Sequence, residues 1–170
     1  MSIIFTKEEF EELKKSIEEV ERKLKEIIQQ KSEAFSGQDS WHNEGFKLGI
    51  VEEMTWSKRL RELQELLSKA EIVEPKEQNE YVRVGTGVVI EYEDGSIKKY
   101  VVEGYTVTTT PYKLSVYSPL GKVLLNAKVG DERILNVGGK ERKLIVKEII
   151  SPSKVRKILS ELEKDASKRR

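Results

Sequence analysis

Two carboxylates and a histidine, Asp39, His42 and Glu44, lie close together in a short segment between two helical patterns. Carboxylate oxygens are the hard ligands that Mg²⁺ prefers, and histidine can carry a proton or orient a phosphate near neutral pH. The residue types alone favour simpler roles: Asp39 caps the second helix, Glu44 is a solvated acid in its first turn, and His42 packs within the loop. No complete set of metal ligands is visible, and the absence of cysteine excludes thiolate sites and disulfides.

Two amphipathic helical patterns flank this segment. In the first, Thr6 and Glu9 form a capping-box pattern that predicts a helix start. Apolar residues then recur every three or four positions, at Phe10, Leu13, Ile17, Val20, Leu24 and Ile27. A second stripe contains Ile50, Met54, Leu60, Leu63, Leu67 and Ala70. The spacing predicts an antiparallel coiled-coil hairpin with arms of about 40 Å at 1.5 Å per residue. A parallel homodimer through the first stripe is the alternative.

Aromatic residues surround the two acids of the connecting segment. We expect Phe35, Trp41 and Phe46 to form a small apolar clasp that fixes the loop on the hairpin, because an unpacked loop could not place carboxylates reliably. His42 and Asn43 complete the predicted loop support. Base stacking by the aromatic rings is the alternative use of these side chains.

After a polar linker, the pattern changes from helical spacing to the period of two that is typical of strands. Strands are predicted at 82–92, 97–107, 113–117, 133–137 and 142–150, in a twisted antiparallel sheet. Ser118 and Pro119 predict the cap and the first position of one short helix against that sheet. The final segment, 153–170, has helical spacing with seven basic and three acidic residues. We interpret it as a solvated terminal helix, with contact to nucleic acid or to an acidic protein surface as the alternative.

Charge is distributed unevenly along the chain, which supports a division into modules. Residues 1–75 carry 12 basic and 17 acidic side chains, whereas the rest of the 170-residue chain carries 19 and 13. We predict a hairpin domain at 1–74, a β domain at 75–152 and a basic helical tail at 153–170. The formal net charge of +1 argues against direct DNA binding. No apolar stretch is long enough for a membrane span, so we expect a cytoplasmic protein.

The order of these features, together with the segment YSPLGKVLLNAKVGDE that begins at Tyr117, resembles the Gre family of bacterial transcript-cleavage factors. The resemblance implies an α+β fold: an N-terminal coiled-coil hairpin, then an FKBP-like antiparallel β domain with a short helix. It also implies a factor, without enzymatic activity of its own, that binds bacterial RNA polymerase at its secondary channel. We expect the protein to be a monomer. The β domain would dock at the channel rim through Tyr117, Ser118, Pro119, Leu120 and Gly121.

In such a factor the hairpin carries its tip carboxylates to the polymerase active site. The resemblance therefore assigns Asp39 and Glu44 a catalytic and metal-binding role. They would help to hold a Mg²⁺ ion shared with the polymerase, with none bound by the isolated protein, and so promote hydrolysis of backtracked RNA. The resemblance also allows a contact with the RNA 3′ end.

The tip departs from the family pattern, in which an aspartate and a glutamate stand three positions apart and an asparagine follows. Three positions after Asp39 this chain has His42, then Asn43, and Glu44 comes two positions later than expected. Three hypotheses follow: a cleavage-stimulating factor, a secondary-channel regulator that inhibits polymerase without stimulating cleavage, and a helical-hairpin adaptor or chaperone unrelated to transcription.

Overall fold

A computed structural model describes residues 1–35, 44–77, 80–106 and 110–168, with side chains through residue 161. The chain divides into two compact units, a hairpin unit (Met1–Ser2 and Phe10–Ala70) and a sheet unit (Ile3–Glu9 and Glu71–Arg170). In chain order the elements are β1 (Ile3–Phe5), α1 (Lys7–Ala34), α2 (Glu44–Ser68), β2 (Ala70–Ile72), β3 (Gly87–Tyr92), β4 (Ile97–Glu103), β5 (Lys113–Ser115), α3 (Pro119–Leu124), β6 (Glu132–Val137), β7 (Lys140–Ile150) and α4 (Pro152–Lys168).

The start of α1 is the predicted capping box. The Thr6 amide donates to the Glu9 carboxylate at 2.5 Å, and the Glu9 amide donates to the Thr6 hydroxyl at 3.2 Å. These two bonds satisfy amide groups that a helix start leaves without intrahelical partners. The predicted apolar stripe of α1 is also confirmed, because four of its members are buried: Leu13, Ile17, Val20 and Ile27.

Contacts between α1 and α2 confirm an antiparallel hairpin. The rings of Phe35 and Phe46 lie 5.2 Å apart, at the end of one helix and the start of the other. Further from that end, Lys31 contacts the backbone at Gly49. Still further, Leu24 and Leu60 line one depression. Residue numbers fall on one helix as they rise on the other, which only an antiparallel pair can produce.

The predicted apolar stripe of α2 is wrong in its first half. Ile50 and Met54 are 39% and 68% exposed, so neither belongs to the helix interface. The inward positions continue the spacing of three and four backward from Leu60, and they are buried or half-buried: Phe46, Gly49, Glu53, Trp56, Leu60 and Leu63. The six-residue step from Met54 to Leu60 breaks heptad spacing, and this step places Ile50 and Met54 outside.

The main sheet has five strands in the order β5-β4-β3-β7-β6. The pairs β3–β4, β3–β7 and β6–β7 are antiparallel, as predicted. The prediction of a wholly antiparallel sheet is wrong at one edge, where β5 runs parallel to β4 with Val101 opposite Lys113. Nine residues separate the end of β4 from the start of β5, far more than the two of a tight hairpin turn, so these two strands are not restricted to antiparallel pairing.

One face of this sheet packs with α3 into the core of the sheet unit. Val88, Ile90, Val102 and Val146 from the strands are fully buried, as is Leu124 from α3. A helical hairpin followed by a sheet with one short helix confirms the predicted α+β class.

The first turns of α4 pack on the opposite face of the sheet. Val155 is only 4% exposed, and a Cβ atom added at Gly87 would lie 2.9 Å from its Cγ2. Arg156 pairs with Glu8 at 3.3 Å. The basic terminal segment is therefore helical, as predicted, but its first turns are part of the sheet unit and are not merely solvated.

Candidate functional site

The candidate site lies at the end of the hairpin where α1 ends and α2 begins. Phe35 and Phe46 pack with their rings tilted by 39°, as the predicted clasp requires of these two residues. The other predicted tip residues, Asp39, Trp41, His42 and Asn43, lie outside the described residues.

Glu44 is the first residue of α2, and its side chain is 87% exposed. Its carboxylate pairs with Lys47 one turn later at 3.2 Å. An acid in the first turn also interacts favourably with the helix dipole. The exposed ion pair contributes little to stability, so this carboxylate can exchange its lysine partner for another cation at small cost.

One ion pair and one close backbone approach lie between the helices behind this end. Lys31 and Glu53 form an ion pair across the hairpin, with about a quarter and a third of their side chains exposed. Gly49 lets the helices approach, because a Cβ atom there would lie 3.1 Å from Cβ and Cγ of Lys31. The apolar stripes of the sequence predicted none of these three residues. Counting backward from Leu60 in steps of four and three would have found Glu53 and Gly49.

We call residues 25–35 and 44–55 the distal half of the hairpin, and residues 10–24 and 56–70 the proximal half. The proximal half buries apolar side chains such as Leu13 and Leu63. In the distal half, the large apolar side chains Leu48, Val51 and Met54 are exposed by 60%, 60% and 68%.

The predicted partner-binding segment of the sheet unit is partly a structural turn. The Ser118 hydroxyl accepts from the Gly121 amide at 3.0 Å and donates to the Ser115 carbonyl at 2.7 Å, so Ser118 caps α3 as predicted. A Cβ atom at Gly121 would lie 1.9 Å from the Ser115 carbonyl oxygen, which only glycine avoids.

Of the same segment, Tyr117 and Pro119 are exposed, whereas Leu120 packs against the core of the sheet unit. The Tyr117 hydroxyl accepts a hydrogen bond from the Ile4 amide at 2.8 Å, which fixes the ring beside β1. Tyr117 and Pro119 are therefore the two members of the segment with surface to offer a partner.

A buried carboxylate lies in the sheet unit, at Glu9. Its side chain is 2% exposed, and burial raises its pKa from 4.5 to about 7. The nearby Glu103 carboxylate raises the pKa further, while hydrogen bonds from the Thr6 and Gly104 backbone oppose the rise. The local sequence pattern predicted only the capping-box role of Glu9, because burial against β4 cannot be predicted from local spacing.

Within the described ranges, no three histidine or acidic side chains are grouped closely enough to hold a metal ion. None of the helices that the structure describes is long and apolar enough to cross a membrane.

Comparison with known proteins adds family-level evidence to this geometry. The family model described as "Transcription elongation factor, N-terminal" (GreA_GreB_N) matches residues 3–72, and "Transcription elongation factor, GreA/GreB, C-term" matches residues 77–151. Transcription elongation factor GreA of Thermotoga sp. strain RQ2 is 37% identical over 129 residues, which cover 74% of this chain and 83% of the relative. The chain belongs to the GreA/GreB family. It is a transcription factor of the Gre type, and the hypothesis of an adaptor unrelated to transcription is not supported.

Further relatives of this Gre-type chain include a second GreA and proteins named Gfh1. GreA of Thermotoga neapolitana is 35% identical over 145 residues, covering 83% of this chain and 93% of the relative. Transcription inhibitor protein Gfh1 of Thermus aquaticus is 29% identical over 148 residues, covering 82% and 92%. A solved structure of Gfh1 has a TM-score of 0.43 at 27% identity, covering 88% of this chain and 97% of that one.

Proposed function

We propose that this Gre-type factor binds bacterial RNA polymerase through the secondary channel and stimulates the polymerase's own cleavage of backtracked RNA. The factor has no hydrolytic activity alone. It supplies carboxylates from the end of the hairpin to an active site that belongs to the polymerase.

The position of Glu44 carries this proposal. Its carboxylate is 87% exposed at the first residue of α2, next to the point where the chain reverses. Behind it, the 28 residues of α1 make an arm of about 42 Å at 1.5 Å per residue. A long, narrow arm with an accessible acid at its end suits delivery of a ligand into a deep channel.

The donor set fits a magnesium ion that is shared with a partner. Asp39 and Glu44 offer hard carboxylate oxygens, and Mg²⁺ commonly binds proteins through one or two carboxylates. Such an ion stabilises charge on the attacking and leaving oxygens of an in-line displacement. Glu44 itself has to leave Lys47 and orient its carboxylate, and the Phe35–Phe46 contact fixes the helix start from which it does so.

Docking of the sheet unit at the channel rim is assigned to the segment from Tyr117 to Gly121. The exposed ring of Tyr117 and the exposed Pro119 provide the contact surface. Ser118 and Gly121 hold the turn in shape through the capping bond.

A second candidate function is inhibition of polymerase from the same channel. Two observations favour it: His42 stands where the family pattern has the second acid, and Glu44 is paired with Lys47. Relatives named as transcription inhibitors are 29–30% identical to this chain.

Purified polymerase stalled in a backtracked state distinguishes the two functions. We expect added protein to increase release of short 3′ RNA fragments, and the double variant Asp39→Asn/Glu44→Gln to bind without increasing it. Slower release with retained binding would establish inhibition instead. Glu33→Gln is a matched control, since it removes an exposed acid of α1 outside the predicted ligand pair.

A further inference from the structure

The helix α4 continues the chain directly after residue 151, where the match to the C-terminal family model ends. Three of its residues nevertheless pack on the sheet unit: Pro152 is buried, Val155 is 4% exposed and Leu159 is half-buried. Their spacing of three and four positions places them on one face of the helix. This face seats α4 on the sheet unit, although the helix lies outside the matched part of the chain.

The seat on the sheet is closely fitted at Gly87 of β3. A Cβ atom added there would lie 2.9 Å from Cγ2 of Val155 and 3.0 Å from Cβ of Ile150. An interior packed this tightly has no room for an added methyl group unless a neighbour moves. Glycine therefore allows the first turns of α4 to lie directly against the strand.

From this seat α4 reaches the start of the hairpin helix and the linker. Arg156 pairs with Glu8, in the first turn of α1, at 3.3 Å. The Ser153 amide donates to the Glu77 carboxylate at 3.4 Å. A cleft of about 90 Å³ joins the same segments, and its lining includes Thr6, Pro75, Val155 and Leu159. All of these residues belong to the sheet unit, so α4 contacts the first turn of α1 within that one unit.

The attachment of α4 is weaker than the core of the same unit. The side chains of the Arg156–Glu8 pair are 64% and 63% exposed, and such pairs contribute little to stability. In the part of α4 whose side chains the structure describes, apolar burial is confined to residues 152–159. Val82 and Val146 in the core are fully buried. Segments with few buried contacts open locally at a lower free energy than the core does.

We propose that α4 is an intramolecular strap. In its seated position it holds the first turn of α1 on the sheet unit, and it detaches as a local unit while the sheet stays folded. The strap gives the protein a way to loosen the start of its hairpin helix without unfolding the sheet. This inference goes beyond the proposed function and does not depend on it.

Aspartate substitutions on the two sides of α4 test the strap in the full-length protein. Val155→Asp and Leu159→Asp each place a charge on the seated face, where burial of an unpaired carboxylate is costly. Ser160→Asp is the matched control, because it adds the same charge at an exposed position of the same helix. Amide hydrogen exchange, resolved by NMR at constant pH, is measured for wild type and for each variant.

Three groups of amides report on the strap: residues 156–160 of α4, the capping-box amides of Thr6 and Glu9, and the core amide of Val146, which donates to the Asp131 carbonyl. In wild type we expect the first two groups to exchange through one opening that costs less free energy than the opening at Val146. In both test variants we expect these two groups to exchange at least about tenfold faster, while Val146 stays protected. The control should match wild type within about twofold.

Three results would overturn the proposal. If the amides of α4 lose protection in the test variants while Thr6 and Glu9 keep theirs, α4 does not hold the first turn of α1. If Val146 loses its protection as well, α4 is part of the folding core and does not detach alone. If protection is unchanged throughout, Val155 and Leu159 do not seat the helix. None of these results affects the proposed function, whose assay measures RNA cleavage.

Discussion

The proximal and distal halves of the hairpin use the same two helices but differ in how many of their large apolar side chains are exposed. In the proximal half Leu13, Ile17 and Leu63 are buried between the helices. In the distal half Ile27 is buried too, but Gly49 and the Lys31–Glu53 ion pair lie at the helix interface, and Leu48, Val51 and Met54 of α2 are exposed.

This difference separates the part of the hairpin that stabilises the fold from the part that is available to a partner. Burial of leucine and isoleucine supplies the main favourable free energy of packing. A partly exposed ion pair supplies little of it. The distal half therefore gives up stability in exchange for exposed apolar and acidic groups, as expected of a region that meets another molecule.

The largest expected loss of stability comes from a substitution in the proximal half. Leu63→Ala removes a side chain that is 1% exposed, and we expect the free energy of unfolding to fall by about 3 kcal/mol. Urea denaturation followed by circular dichroism at 222 nm measures the loss. Met54→Ala is the control in the distal half and should cost less than about 0.5 kcal/mol. Equal losses would show that the two halves do not differ.

The next largest effect is expected in the pH dependence of the free energy of unfolding, through the buried carboxylate of Glu9. Glu9 faces Glu103 of β4, which pairs with Lys113 of β5 at 3.2 Å. Because its folded pKa of about 7 lies above its ordinary 4.5, the folded state holds a proton that the unfolded state releases. The stabilising contribution is fully present below pH 4.5 and is lost as pH rises to about 7.

We therefore expect the free energy of unfolding to fall by roughly 2 kcal/mol from pH 5 to pH 8, because Glu9 loses its proton in this range. Glu9→Gln should flatten this part of the stability profile, since glutamine keeps an oxygen for the Thr6 amide and does not titrate. Glu8→Gln, at a neighbouring exposed position, should leave the slope as in wild type. An unchanged slope in Glu9→Gln would contradict the assignment.

Overpacking the distal interface has an intermediate effect. Gly49→Leu places a large side chain against Lys31, where even a Cβ atom lies within 3.1 Å of two carbons. We expect a loss of about 1–2 kcal/mol in urea denaturation. Val51→Leu on the outer face is the matched control and should be neutral. A neutral Gly49→Leu would mean that the helices do not approach closely there.

The smallest effect is expected where the sequence pattern predicted a buried residue. Met54→Gln changes a side chain that is 68% exposed, so the free energy of unfolding should change by less than about 0.5 kcal/mol. Leu60→Gln, at a half-buried inward position, should cost several times more. A large loss from Met54→Gln would restore the apolar stripe that the spacing first predicted.

Local sequence rules predicted those elements whose signals lie within a few residues. The Thr6–Glu9 capping box, the Ser118 cap and the glycine turns at Gly95 and Gly139 are of this kind. The inward face of α2 was predicted wrongly in its first half. The prediction relied on apolar side chains, whereas Gly49 and Glu53 lie on that face. The parallel pairing of β5 was missed because it depends on how the chain returns along the sheet, which spacing does not encode.

For the candidate site, the sequence predicted Glu44 as a solvated acid in the first turn of the second helix, and the structure adds its pairing with Lys47. Val155 packs against Gly87, which is far away in the chain, so no local sequence pattern predicts this contact. The assignments of Asp39 and Glu44 as metal ligands stay predictions.

The central claim, that tip carboxylates supply magnesium ligands to the polymerase, is tested most directly by the Mg²⁺ dependence of RNA cleavage in a backtracked complex. We predict that wild-type protein lowers the Mg²⁺ concentration required for half-maximal cleavage. Asp39→Asn/Glu44→Gln should bind polymerase with unchanged affinity and leave that concentration at the value without factor. A shift that persists in the double variant, or a wild-type protein that binds and causes none, would contradict the claim.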